Sequence, residues 1–341
     1  MKTVNPRPGI RDVAERAGVS LSSVSRVLDD HPDVSIRMRH RVMDAVAALG
    51  YQPDPLAQSM RTGTTMTIGF VAGDTSNPLL AQIALAAETR LRQFGYSLLV
   101  TNSDNDPANE SKNIRVLLSR RVDGLLLSVA DESDKELLAA LAHNSTPAVL
   151  IDRSLAGEDL SALYSDHAVG IAAAAAQLIR LGHTKVALIN GNPRVRPSRE
   201  RSAALRKTFK GIPGSDVRVV NGSFSERHGY DTTIQLLRRE SPVTAVIAGS
   251  NQILVGVLRA LRDLDVSVPR DLSLITCDHT ALAELHVPRI DTINRDASEM
   301  GEVAAELLRD LIAGAPPEQR TLPTKYEPFA STTSPPRKAT S

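Results

Sequence analysis

Six polar residues close short apolar runs in this chain: Asp74, Ser128, Asp152, Asn190, Ser250 and Asp278. Carboxylates, amides and hydroxyls held at such ends can clamp the hydroxyls of a carbohydrate, because each donates or accepts at fixed geometry. Part of the pattern also follows from strand ends running into polar loops, so the set carries more than any member. A second group lies near the N-terminus, where Leu21, Ser22, Ser25 and Arg26 face outward from one helical turn, with Ser23 at the edge. An arginine there can pair bidentately with guanine O6 and N7, a leucine can touch a thymine methyl, and a serine can bond a base edge or a phosphate.

The elements that must hold the second group are short helices. Ile10, Val13, Ala14 and Ala17 recur at spacings of three and four, which marks one apolar helix face. Gly18 follows as a stop able to take positive φ. Val19 is the apolar residue of the turn, and Ser20 can cap a second helix with Val24, Val27 and Leu28 inward. A third helix is expected over Ile36–Leu49, with Val42, Val46 and Leu49 inward and Gly50 at its end. Two short helices around a tight Gly-containing turn form a helix-turn-helix whose second helix enters the major groove. An ordinary three-helix bundle with surface Arg and Ser fits the same spacing.

The elements that must hold the first group alternate. The apolar runs TIGFVAGD, YSLLVTNSD, VDGLLLSV, PAVLIDR, KVALING, TAVIAGS and LSLITCD are separated by helical stretches near 80–93, 109–120, 134–143, 167–181, 199–210, 226–239, 251–264 and 298–313. Such alternation implies parallel sheets covered on both faces. Seven runs fit two doubly wound lobes better than one. Asp166 to Gly170 is the expected crossover and Thr292–Ala297 the expected return. Ligands of open α/β sheets bind outside the carboxyl ends of strands, so two facing lobes would aim the polar ends into one cleft.

Composition bounds the function only loosely. The chain has 341 residues and a net charge of +1. Residues 1–62 carry nine Lys and Arg against seven Asp and Glu, and the remainder 31 against 32. That asymmetry has the right sign for DNA but is weak. One cysteine, Cys277, excludes an internal disulfide and a cysteine-only zinc site, and it reads as a small buried hydrophobe. No run reaches the ~18 apolar residues of a membrane span, and the N-terminus lacks a signal peptide's apolar core. A cytoplasmic, nucleoid-associated bacterial protein is expected. No H-E-x-x-H, CxxC, P-loop, G-x-G-x-x-G or G-x-S-x-G occurs, so no metal, cofactor or catalytic residue is expected. His183, at a helix-to-strand turn, has no nucleophile pattern to serve.

The runs IRDVAERAGVSLSSVSRVLD and VSIRMRHRVMDAVAALGYQPDPLAQSMR resemble the headpiece of the lac-repressor family of bacterial regulators, and the similarity extends to about Phe329. The resemblance implies an all-α helix-turn-helix headpiece followed by an α/β two-lobed sensor like the type I periplasmic binding proteins. It places Leu21, Ser22 and Arg26 on bases and Arg11, Ser23, Ser25 and Ser35 on phosphates. It makes 53–63 a hinge helix, with Ala57 and Met60 contacting DNA and Met60 as a minor-groove wedge; a plain linker is the alternative. In the sensor it implies effector contacts from Asp74, Asn77, Ser128, Asp152, Arg201, Phe224, Asn251, Asp278 and Arg295. Asp29 and Asp33 stand where neutral residues or His are usual, Met38 replaces a Thr, Met60 a Leu and Asp54 an Asn. Asn251-Gln252 and Asp166-His167 replace Asn-Asp and Asp-Asn.

The expected domains are 8–52 headpiece, 53–63 hinge, 64–330 effector and dimerisation domain, and 331–341 disordered tail. The lobes are expected at 66–165 with 297–324, and at 166–296 with 325–330. The tail lacks leucine heptads, so a homodimer is expected. Arg201 and Arg295 hint at an anionic effector, since arginine pairs bidentately with carboxylate or phosphate. Arg194, Arg196 and Arg199 read as a solvated face. The expected partners are double-stranded operator DNA and a sugar, sugar acid or sugar phosphate. The function is that of a sequence-specific regulator, a repressor, with operator affinity set by the effector. A solute-binding protein without DNA role and a regulator answering to a protein partner are the alternatives.

Overall fold

The computed structural model describes residues 8–52, 63–142, 144–155 and 160–336. The chain divides into two compact units, residues 1–65 and 66–341.

The first unit is three helices around one small core. Helix α1 (Ile10–Ala17) starts where the Gly9 N–H donates to Asp12 and ends at Gly18, whose φ is 61°. Helix α2 (Leu21–Leu28) is capped by Ser20, whose hydroxyl accepts the Ser23 N–H at 3.2 Å. Helix α3 (Ile36–Leu49) is capped by Ser35 and stopped by left-handed Gly50. Val13, Ala14, Ala17, Val24, Val27, Val42 and Ala45 are buried together. Val46 and Leu49 lean on that core only partly buried.

The second unit holds two six-stranded sheets. The elements of the first lobe are β1 (Thr67–Ala72), α4 (Pro78–Gln93), β2 (Ser97–Asn102), α5 (Pro107–Ser119), β3 (Gly124–Leu127), α6 (Lys135–Ala142), β4 (Ala148–Ile151) and β5 (Ser161–Asp166). The second lobe continues with α7 (His167–Arg180), β6 (Lys185–Asn190), α8 (Arg196–Phe209), β7 (Asp216–Asn221), α9 (Glu226–Leu237), β8 (Ala245–Ala248), α10 (Asn251–Asp263), β9 (Ser273–Cys277), α11 (Ala281–Leu285) and β10 (Asp291–Asn294). Helix α12 (Ala297–Ile312) and β11 (Gln319–Pro323) return to the first lobe, and β12 (Lys325–Glu327) goes back to the second.

The sheet orders are β11-β5-β4-β3-β1-β2 and β12-β10-β9-β8-β6-β7. All pairings are parallel except β12 against β10. Central strands such as β3, β4, β8 and β9 are buried along their whole length, as a sheet covered on both faces requires. Helices α9 and α10 cross so closely that a Cβ on Gly256 would lie 2.0 Å from the Glu226 carbonyl oxygen. Thr324 bolts two of the interlobe crossings together: its hydroxyl donates to the Asp166 carbonyl at 2.6 Å and accepts the Gly170 N–H at 3.0 Å.

Two expectations change here. Strands β5, β7, β10, β11 and β12 and helix α11 are additional to the seven apolar runs; most are too short or too polar to stand out in sequence. The tail is not disordered from Ser331. Ser331 is buried, donates to the Leu274 carbonyl at 2.5 Å, and is held by Asp291, while the Thr333 N–H donates to Ser273 at 3.0 Å. These polar residues are ordered because they satisfy groups left buried at the edge of the second sheet. Residues 337–341 lie outside the described residues.

Candidate DNA interface and ligand cleft

Helix α2 turns Val24 and Val27 into the core and leaves Leu21 44% exposed, with Ser22 and Arg26 also exposed. Among the described residues the Arg26 guanidinium has no hydrogen-bond partner in the protein. The Ser20 hydroxyl lies 2.8 Å from that of Ser22 and 2.9 Å from that of Ser23, a serine cluster at the helix N-terminus. Ser25 donates to Asp29 at 3.3 Å, and Ser35 is engaged as the α3 cap. Arg11 is exposed on α1. The structure therefore brings Leu21, Ser22 and Arg26 onto one face, with Ser23 and Ser25 half-buried beside it.

Sequence reading missed Arg41. Its guanidinium donates to the carbonyls of Ala17 and Gly18, satisfying orphan acceptors at the end of α1 and fixing the turn. A Cβ on Gly18 would meet it at 2.9 Å. The signal was available as a basic residue facing a helix C-terminus, but only once α3 was packed. Ala57 and Met60 of the expected hinge lie outside the described residues.

In the second unit, residues from both sheets line a cavity of about 60 Å³ between the lobes. Asp74, Asn77, Ser128, Asp152, Arg201, Phe224, Asp278 and Arg295 all border it. Asn251 does not: its amide turns to the Asn77 oxygen at 2.8 Å across the cleft. Beside it, Gln252 donates to Asp74 at 2.8 Å. An outer chamber of about 500 Å³ shares Asp74, Arg153, Phe224 and Gln252 with the inner cavity. The inner space holds only a few waters, whereas the outer one is of the size usual for a ligand site. Phe224 stands in both walls because Gly191 has no Cβ; one there would lie 2.1 Å from the ring.

The cleft floor is a buried charge network. Asp152 and Asp278 both hold left-handed backbone, φ 57° and 71°, at the ends of β4 and β9. Arg295 donates to both Asp278 oxygens, at 2.6 and 3.1 Å, and to Asp152 in the other lobe. Burial alone would raise both acids, but Arg295 beside Asp278, and His167 with Arg295 beside Asp152, hold their pKa values below the usual carboxylate range. Burial pushes His167 down to about 4 against the pull of Asp152. Its ring is thus neutral at pH 7, with Nε2 2.8 Å from the carboxylate.

Of the three arginines read as a solvated face, Arg194 and Arg199 keep 68% and 49% of their side chains exposed yet reach the other lobe, whereas Arg196 is mostly buried. Arg194 pairs with buried Asp131 at 2.7 Å and Arg199 with buried Glu132 at 2.5 Å. Arg196 is largely buried; it donates to the Ser165 carbonyl, pairs with Glu200 and stacks 4.3 Å over Tyr164. The partners of Arg194 and Arg199 follow β3 in the other lobe, and Arg196 also reaches Asp152 after β4 at 3.4 Å, all too far in sequence to be foreseen. Glu110, fully buried on α5, accepts the Ala130 N–H at 2.8 Å, and among the described residues its other oxygen has no hydrogen-bond partner. Burial raises its pKa to about 7. His183 is structural: its Nε2 lies 2.8 Å from the Thr333 carbonyl and its Nδ1 2.8 Å from the Thr244 hydroxyl. Cys277 is buried and free.

Known proteins share this organisation. Residues 9–54 match the family described as bacterial regulatory proteins, lacI family, and residues 175–332 match the periplasmic binding protein-like domain. The ribose operon repressor of Escherichia coli (strain K12) is 32% identical over 301 residues, covering 88% of this chain and 91% of that protein. The HTH-type transcriptional regulator DegA of Bacillus subtilis (strain 168) is 31% identical over 296 residues, covering 86% and 88%. Among solved structures, the lac repressor dimer bound to operator and the anti-inducer ONPF superposes with a TM-score of 0.85 at 27% identity, covering 96% of this chain and 99% of that one. The Cra transcriptional dual regulator from Pseudomonas putida in complex with fructose 1-phosphate gives 0.71 at 25% identity, covering 77% and 98%. A helix-turn-helix and a two-lobed ligand-binding fold in one chain, matched nearly end to end by such relatives, place this protein in the lacI family of bacterial regulatory proteins, as a DNA-binding transcription regulator.

Proposed function

We propose that the protein is a homodimeric repressor whose operator affinity is set by a small carbohydrate-like effector bound between the sensor lobes. The observation that carries this reading is the convergence of strand-end polar groups from both sheets on one cleft, in a chain that also bears a DNA-reading helix. Arg26, Leu21 and Ser22 read base edges; Arg11, Ser23, Ser25 and Ser35 hold phosphates; Ala57 and Met60 follow the minor groove. Asp74, Asn77, Ser128, Asp152, Arg201, Phe224 and Asp278 meet the effector, with Arg295 tying the acids and Asn251 closing the cleft mouth.

Exposed apolar residues support the dimer. Leu285 and Val287 are 78% and 91% exposed beside a groove lined by Val255, Leu258 and Val268. On the first lobe, edge strand β2 exposes Leu99 and Val100. Patches of this kind mark interaction surfaces. The chemistry is binding rather than catalysis, as in its repressor relatives.

Genome-wide mapping of the DNA bound by the protein tests the reading. Discrete sites with a shared palindromic element upstream of genes for uptake or breakdown of one compound are expected. Diffuse binding without a motif would overturn it.

A further inference from the structure

Resting on the cleft being the effector site, we infer that Arg153 and Arg201 form an anion-binding pole within it, so that the effector carries a carboxylate or phosphate. The sorting of charge in the cleft leads there. Arg295 is spent on Asp152 and Asp278 and offers no unbalanced charge. Arg153 and Arg201 line the same cavity, and among the described residues neither is within ion-pair distance of a carboxylate, although Asp152, Glu132 and Glu110 oppose Arg153, and Asp278 opposes Arg201, at longer range. Arg153 donates to the carbonyls of Val129 and Asp152, at 2.5 and 2.9 Å. Arg201 donates to the Gly249 carbonyl at 2.7 Å.

Arg201 is only 2% exposed, and its Nε is a buried donor without a hydrogen-bond partner among the described residues. Such a donor is costly to leave unmade and points to an acceptor supplied from outside. Helices α4 and α10 begin at the cleft with Asn77 and Ser250 as caps, so each lobe turns one positive helix end toward the cavity. The buried Gln252 oxygen at the cavity edge also lacks a donor. A ligand with an anionic group at the arginines and a hydroxyl at Gln252 satisfies both, which describes a sugar acid or a sugar phosphate better than a neutral sugar.

Inorganic phosphate, titrated calorimetrically into the full chain at constant ionic strength, tests the inference. Phosphate is expected to bind the wild type, with Arg201→Gln weakening it about tenfold or more, Arg153→Gln also weakening it, and Arg201→Lys retaining most of it. Arg201→Lys keeps the test informative if the glutamine variant fails to fold. Absence of phosphate binding by the wild type, or binding unchanged in Arg201→Gln, overturns the inference; the latter would put the ion on the DNA-contacting surface. A neutral sugar that alters operator binding while phosphate has no effect would sink the anion pole and leave the effector cleft standing. Phosphate binding lost in Arg201→Gln, with no compound altering operator binding, would do the reverse.

Discussion

Replacing Arg295 with methionine removes the cation that bridges two buried acids, Asp152 and Asp278, while keeping most of the side-chain volume. Asp152 would retain His167, the Ser165 N–H and Arg196, at 2.8, 3.0 and 3.4 Å. Asp278, 3% exposed, would lose both of its hydrogen bonds to Arg295 and the one ion pair it makes among the described residues, leaving the more distant Arg201 to oppose its charge. Removing one partner of a buried pair costs about 3–5 kcal/mol. For a unit of this size each kcal/mol moves the midpoint by about 2–4 °C, so Tm of the sensor unit should fall by about 6–20 °C. Thermal unfolding followed by circular dichroism reads this directly. Adding Asp278→Asn to Arg295→Met removes the stranded charge and should recover about half of the loss. A single variant within about 2 °C of wild type, or a double variant no better than the single, would refute the reasoning.

Two further outcomes follow from the same network and from the headpiece. Glu110 has a folded pKa of about 7 against 4.5 for the free side chain, so its contribution to stability is full below pH 4.5 and is lost as pH rises to 7. Glu110→Gln should flatten the decline of Tm between pH 5 and 8, a span corresponding to roughly 3 kcal/mol of linkage; an unchanged slope would contradict this. Arg26→Ala should lose about 1–3 kcal/mol of discrimination between operator and mismatched duplexes while nonspecific binding changes little; retained discrimination in competition binding would remove its base-reading role.

What the sequence made legible was periodic or local. The headpiece helices were readable because Val13, Ala17, Val24 and Val27 repeat at helical spacing and Gly18 and Gly50 mark the stops. The cleft was readable because polar residues end the apolar runs, an arrangement that the parallel sheets then gather. Pairings across the lobes were not readable. Arg295 meets Asp152 over 143 residues of chain and Asn251 meets Asn77 over 174, so charge sorting within the cleft emerges only from the fold. The proposal of an anionic effector now rests on different residues: Arg295 leaves the pair, because it is taken up by Asp152 and Asp278, and Arg153 joins Arg201. Ser331 and Thr333 misled in the opposite sense, because polar residues near a chain end look unstructured until the buried groups they satisfy are in place.

The most direct test of the account is fluorescence anisotropy of a labelled operator duplex with the full chain, repeated with sugars, sugar acids and sugar phosphates in turn. At least one anionic compound should change operator affinity about fivefold or more, with the response lost in Arg201→Ala. An affinity that no compound moves, or a response that Arg201→Ala leaves intact, would contradict control of DNA binding from this cleft.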